Sequence, residues 1–381
     1  MKKLCVSLMA LVSLLCVSCS NDPEIPEKND NGIDVTLSIT TNPLTKGVEN
    51  SQVDASAPID VNKEFIVYFM DASGNTVTAY KLTDTQISAI QTSTVGAGVK
   101  FTNLDPSVVS VYVVANVPSG TLPATAPGTT LTAINGTVQN IYDQQTIDAK
   151  SVVLANTGKT ATSTNAVAAP NDVASNGNAQ YKATIVLTPI VSRIQIKEVS
   201  VDPTITSFNL AGIYIDNFYQ NMSIGGDLTS ISKAPVGGVT KFNLSSDGST
   251  PYKTNGQLFD ELISPATTLP LVTNDKVFGY QIFPVAGGLS KVPYIILKLT
   301  NVVGTTRTFA SGTTYYVAVK AYKDGSNPFT TFEAGKIYTI NSIPVAENNI
   351  VTDPTQSLIN VTVNVTIAPW SEKALNPDFG Y

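Results

Sequence analysis

The residues Ile33-Asp34-Val35-Thr36-Leu37-Ser38-Ile39-Thr40 alternate apolar and polar without a break. So do Val361-Thr362-Val363-Asn364-Val365-Thr366-Ile367 near the other end of the chain. Successive side chains of a strand point to opposite faces, so a period of two defines a strand with one buried face. Further apolar runs predict strands at Glu64 to Met70, Thr76 to Lys81, Val99 to Leu104, Val108 to Asn116, Tyr181 to Leu187 and Ser192 to Val201. Others follow at Ser207 to Ile215, Lys276 to Phe283, Tyr294 to Thr300, Thr313 to Lys320 and Lys336 to Ile340. Gly and Pro clusters separate them, the pattern of β-sandwiches. Asp71-Ala72-Ser73-Gly74-Asn75 reads as the turn of a hairpin.

Helix is expected only in short pieces. Thr83 to Thr92 has a capping Thr with Gln86 three residues on. Thr132 to Tyr142 spaces Ile134, Val138, Ile141 and Tyr142 as one helical face. Ala155 to Gln180, rich in Ala, Asn, Thr and Ser, reads as a long loop. The turn of composition at Thr188-Pro189 marks a domain boundary.

Composition narrows the chemistry. Of 381 residues 43% are hydrophobic and 14% charged, enough apolar surface for a sizeable core and too little charge for a disordered chain. The net charge is −6 and only two arginines occur, Arg193 and Arg307, which argues against a nucleic-acid partner. The chain contains no histidine, which removes Ser-His-Asp and Cys-His nucleophile systems and His-ligated metal sites. No catalytic, cofactor-binding or metal-ligating set emerges, and no enzyme is expected. The adjacent acids Asp260 and Glu261 fit a solvated turn, Asp71 to Asn75 lacks the ligand spacing of a calcium loop, and Trp370 fits edge or core packing better than a sugar platform.

The three cysteines, Cys5, Cys16 and Cys19, all lie in the first twenty residues. Lys2 and Lys3 precede the apolar run Leu4 to Val17, which is too short to span a bilayer and suits a signal peptide. Leu15-Cys16-Val17-Ser18-Cys19 then looks like a lipobox with Cys19 as the lipidated residue. Cys16 stands where such a motif usually carries Leu. A polar tether from Ser20 to Gly32 leads to the first alternating strand.

That strand and the last one form an informative pair. Ile33, Val35, Leu37 and Ile39 give four apolar side chains on one face; Val361, Val363, Val365 and Ile367 give four with the same spacing. Each could fill the same kind of groove, and Lys46-Gly47, in the loop after the first strand, is a trypsin-like site whose cutting would free that strand with its anchor. Two readings of the pair stand: exchangeable strands, or permanent members of two separate sandwiches.

The lipobox leader, Leu44-Thr45-Lys46-Gly47, Phe65-Ile66-Val67-Tyr68-Phe69-Met70-Asp71-Ala72-Ser73-Gly74, Val111-Tyr112-Val113-Val114-Ala115-Asn116, Ile190-Val191-Ser192-Arg193-Ile194 and Val363-Asn364-Val365-Thr366-Ile367-Ala368-Pro369-Trp370 occur in this order. In that order the chain resembles the Bacteroidales fimbrillin family, the major subunits of type V pili. The resemblance implies a mainly β fold of two transthyretin-like β-sandwich domains. It divides the chain into a signal peptide (1–18), a lipidated tether and removable leader (19–46), an N-terminal domain (47–188) and a C-terminal domain (189–381) ending in a donor strand. It further implies a cell-surface fimbrium built by donor-strand exchange, with the chain itself and other fimbrial subunits as partners. It also implies that the outer membrane holds the precursor through its lipid before processing, and it allows a host or bacterial surface receptor as a further partner. Lys46 departs from the arginine carried by members that arginine-specific proteases process. A tip or accessory adhesin of the same fold, or a surface glycan-binding lipoprotein, is the alternative.

Overall fold

The structure, a computed structural model, describes residues 32–41, 53–54, 64–87, 99–145, 152–156, 165–166, 178–226, 258–266, 276–287, 292–353 and 361–369. In chain order the strands are β1 (Ile33–Thr41), β2 (Val53–Asp54), β3 (Phe65–Met70), β4 (Thr76–Lys81), β5 (Val99–Leu104), β6 (Ser110–Ala115), β7 (Val138–Asn140), β8 (Leu154–Asn156), β9 (Asn165–Ala166), β10 (Ala179–Pro189) and β11 (Ser192–Ile196). They continue as β12 (Val199–Val201), β13 (Ile205–Asp216), β14 (Asn221–Ser223), β15 (Leu258–Ala266), β16 (Lys276–Ile282), β17 (Tyr294–Gly304), β18 (Tyr315–Asp324), β19 (Asn327–Phe329), β20 (Lys336–Ile340), β21 (Ile343–Val345) and β22 (Val361–Pro369). The fold is mainly β, and no helix among the described residues reaches seven residues.

Two large sheets carry the structure. The first runs β4-β3-β6-β8-β10-β1-β5, with β9 beside β6. It curls until its two ends face each other: Phe101 of β5 meets Phe69 of β3 edge-on at 4.9 Å between ring centroids and Tyr80 of β4 at 5.1 Å. Aromatic pairs in this geometry add to the apolar area they bury. The second sheet runs β15-β13-β17-β18-β22-β20-β11-β16-β2, with β19 beside β18. Its β17 and β18 alternate over Ile295 to Leu299 and Tyr315 to Val319, and β13 does so around a bulge between Leu210 and Gly212. Leu210, Ile213, Leu297, Leu299, Val317 and Val319 enter the main core, while Tyr214, Ile296, Tyr316 and Ala318 form a second cluster on the other face.

The chain passes from the first sheet to the second between Pro189, which ends β10, and Ser192, which opens β11. The two sheets share a seam. Strand β2, from the early part of the chain, pairs with β16 at Val53 and Val277, and β7 pairs with β14. Gln145 and Gln281 exchange bonds: the Gln145 amide donates to the Gln281 carbonyl at 2.6 Å, and the Gln281 N–H donates to Gln145 Oε1 at 3.0 Å. Both glutamines are buried, and the Gln145 side chain satisfies both backbone groups of Gln281.

Local chemistry explains most of the element ends. The β3–β4 hairpin turns on Asp71, whose carboxylate accepts from the N–H of Ser73 (2.9 Å) and of Asn75 (2.8 Å). Gly74 sits there at φ +76°, a left-handed conformation that glycine adopts without a Cβ clash. The oxygens of Asp71 thus serve the turn itself. Thr83 and Gln86 form the expected reciprocal cap, with residues 84–87 helical and the rest of that expected helix outside the described residues.

Three expectations need correction. The helix over Thr132 to Tyr142 is only one turn, α1 (Leu131–Asn135), capped by Thr130 and ended at Gly136. Beyond it Val138–Asn140 leaves as β7 to pair with β14, and the chain then makes a 3-10 turn over Ile141–Gln144. Pairing with a distant strand wins over helical spacing. The loop expected from Ala155 to Gln180 contains part of β8, the link between β6 and β10, as well as β9. Asp260 and Glu261, expected in a turn, lie inside β15 opposite Ile213 and Gly212. Their strand is held by its neighbour β13 and not by an alternating pattern of its own.

Candidate terminal-strand slots

Strand β1 lies between two partners in the interior of the first sheet. Its whole length, from Ile33 opposite Ala179 to Thr41 opposite Leu187, runs parallel to β10. Along its first half it also pairs antiparallel with β5, Ile33 opposite Leu104 and Leu37 opposite Val99. Ile33, Val35 and Leu37 are buried in the main core. Each such side chain contributes roughly 1.5–3 kcal/mol of apolar burial. Ile39 pairs with Ile185 through its backbone; its side chain lies outside the described residues.

The polar side of β1 holds an unexpected feature. Asp34 is 1% exposed. Its Oδ1 accepts from Asn178 Nδ2 at 2.9 Å and from the Asn103 N–H at 3.1 Å. Its Oδ2 accepts from Gln180 Nε2 at 3.2 Å and pairs with Lys100 Nζ at 3.0 Å. The geometry comes from a bulge. Between Ile33–Leu104 and Val35–Phe101, Asp34 faces two residues of β5, Thr102 and Asn103. Asn103 takes φ +56°, one of the few left-handed conformations a non-glycine residue tolerates, and this turns its N–H onto the carboxylate. Asn178 also donates to Asn103 Oδ1 at 2.7 Å, which locks the two amides together. Burial alone opposes ionisation of Asp34. The bonds from Asn178, Lys100 and the Asn103 amide outweigh it, and the carboxyl is lowered to about 2.

Strand β22 occupies a slot of the same mixed type in the second sheet. It runs parallel to β18 and antiparallel to β20. Val363 and Val365 are buried in the core; Val361 and Ile367 lie in the strand, with side chains outside the described residues. The pairing is divided, however. Residues Val361 to Asn364 pair with β18, and Val365 to Pro369 pair with β20. Strand β1 has a ladder on both sides over its first half; β22 hands over from one partner to the other at its middle.

Cys19, Lys46, Gly47 and Trp370 lie outside the described residues. The polar partners of Asp34 gave no sequence signal: Asn103, Asn178 and Gln180 stand 69, 144 and 146 residues away. One cue existed, since Asp34 is the only ionisable residue in an otherwise neutral strand.

The fold is thus a β protein of two large sheets and two two-stranded ones among the described residues, whose first and last described strands each sit between one parallel and one antiparallel neighbour. It is similar to a candidate cell adhesion protein from Bacteroides eggerthii DSM 20697, 16% identical, with 89% of this chain and 96% of that chain covered and a TM-score of 0.52. A fimbrilin (FimA) from Porphyromonas gingivalis W83 matches at 12% identity over 89% of this chain and 98% of that one, with a TM-score of 0.49. What the chain shares with the Bacteroides eggerthii protein is the fold. No protein-family model and no curated protein matches the sequence.

Proposed function

We propose that this chain is a structural subunit of a cell-surface fimbrium. In this reading it is exported as a lipoprotein through Cys19, cut between Lys46 and Gly47, and polymerised by donor-strand exchange. One observation carries the reading: β1 lies upstream of Lys46 and fills an interior slot of the first sheet. A cut at Lys46 leaves β1 held by non-covalent contacts alone. Its departure exposes a long edge on β10, another on β5, and the apolar floor beneath Val35 and Leu37. Such an edge recruits a strand from elsewhere.

The last strand supplies a replacement of the same alternation. The divided pairing of β22 supports its release, because each of its residues gives up one ladder and not two. The fold shared with a candidate cell adhesion protein agrees with a surface role. A second reading, a tip or accessory adhesin, is favoured by the position of β22 inside its own sheet, where a subunit that donates nothing keeps it.

Limited trypsin treatment of the purified full-length protein separates the two. A stalk subunit gives a new N-terminus at Gly47 together with heat-labile ladders above the monomer, and Lys46→Gln abolishes both. Cutting at Lys46 with no species larger than the monomer contradicts the stalk role.

A further inference from the structure

We infer that the slot of β1 reads the register of its second occupant: residues 359–366 of another copy settle where Ile33 to Thr40 lay, with Asn360 in the place of Asp34. The inference rests on the exchange reading above and deepens it.

Alternation by itself leaves the register open. A strand that slides by two residues presents the same faces, so apolar side chains still enter the core. The slot breaks this degeneracy at one point. The Asn103 N–H, Asn178 Nδ2, Gln180 Nε2 and Lys100 Nζ all converge on a single side-chain position, and Asn178 is itself 1% exposed. An apolar residue arriving there takes the acceptor away from these donors, and a buried donor left without its acceptor costs about 1–3 kcal/mol. The arriving strand therefore needs an acceptor at that position and an apolar residue on each side of it.

The C-terminal sequence meets this requirement best in one register. Ile359-Asn360-Val361-Thr362-Val363-Asn364-Val365-Thr366 matches Ile33-Asp34-Val35-Thr36-Leu37-Ser38-Ile39-Thr40 with identity at Ile359, Val361, Thr362 and Thr366. Asn360 is the amide counterpart of Asp34: its Oδ1 accepts from Asn178 and from the Asn103 N–H as Asp34 Oδ1 did, while its NH2 offers no acceptor to Gln180 and Lys100. A register displaced by two, with Val361 over Ile33, puts the shorter Thr362 at that position. A register displaced by four puts Asn364 there, but it carries Pro369 to the place of Ile39, where a proline has no N–H for the ladder. The exchange of acid for amide also orders the two occupants. The leader keeps a charge-assisted contact with Lys100 that the donor lacks, so the leader holds the slot until it is cut away.

Intermolecular disulfide trapping tests the register. All native cysteines lie at or before position 19, so the chain from Gly47 onward carries only introduced thiols, and a leader fragment still bound to it is told apart by its mass. Strand β10 pairs Thr184 with Ser38. In the inferred register Asn364 of the second copy takes the place of Ser38; in the register displaced by two, Thr366 does. Paired backbones on adjacent strands lie about 5 Å apart, within disulfide reach. Full-length Thr184→Cys is cut with trypsin, mixed with cut Asn364→Cys or cut Thr366→Cys, and oxidised. The expected result is a covalent dimer with Asn364→Cys at least about tenfold more abundant than with Thr366→Cys. Asn360→Leu lowers ladder yield by about tenfold, the equivalent of one lost buried hydrogen bond, while Asn360→Asp keeps it. A dimer favouring Thr366→Cys, or ladders without either dimer, overturns the register and leaves exchange standing. Cut wild-type protein that forms no ladder removes the exchange reading, and the register with it.

Discussion

Asp34, near the start of the folded chain, accepts a hydrogen bond from Asn178, 144 residues further on, and both side chains are buried. This contact joins β1 to the body of the first sheet. Replacing Asp34 with Ala in the uncut protein leaves Asn178 and the Asn103 amide without their acceptor. We expect a loss of ~2–3 kcal/mol in the local stability of β1, seen as faster amide hydrogen exchange across Ile33–Thr41 with little change in β13 or β17.

The same carboxylate makes the docking of β1 acid-sensitive. Its pKa is lowered from 3.8 to about 2 in the folded chain. A depressed carboxyl contributes its stability in full above the unfolded value and loses it as pH falls through the folded one. Protection of β1 should therefore hold above about pH 4 and fall progressively toward pH 2. Lys100 on β5 is the charged group that faces Asp34, and Asn178 and Gln180 from the β10 side are neutral. Asp34→Asn should remove this pH dependence, leaving protection that is lower near neutrality and flat into acid, as read by hydrogen exchange.

A second carboxylate titrates in the same range elsewhere. Glu347 accepts from the Thr306 hydroxyl and from the N–H groups of Thr306 (2.8 Å) and Arg307 (3.0 Å), and these bonds lower its pKa to about 2. Global stability should thus decline between about pH 4.5 and pH 2 even in Asp34→Asn. Glu347→Gln should flatten that part of the profile in a thermal-melt series.

Gly279 is fixed by the side chain packed on it. Arg193 is fully buried, its pKa lowered to about 9 by burial, and a Cβ on Gly279 would meet its guanidinium, with Cζ at 2.6 Å. Gly279→Ala overpacks the contact between β11 and β16, and we expect about 1–3 kcal/mol of destabilisation in denaturant melts.

The parts of this fold that were legible in sequence are those whose pattern is local. The alternations of β1 and β22, the β3–β4 hairpin and the Thr83–Gln86 cap each depend on residues within a few positions of one another. Strand β8 and the strand around Asp260 were not legible, because three residues of Leu-Ala-Asn or an acid pair become strand only by pairing with distant neighbours. The polar site around Asp34 was hidden for the same reason. A left-handed asparagine in a bulge and an amide from the far side of the domain leave no local trace. The alternation named Ile33, Val35 and Leu37 correctly as core, and it gave Asp34 no role beyond the outer face.

The central claim is that β1 is a replaceable occupant of its slot. Full-length protein cut by trypsin can be separated by size into monomer and ladder fractions, and the fragment ending at Lys46 counted in each by mass spectrometry. We predict about one fragment per chain in the monomer and about one per polymer in the ladders, falling as the ladders lengthen, since each incoming strand displaces one leader and the end subunit keeps its own. Ladders that retain one fragment per chain contradict the account.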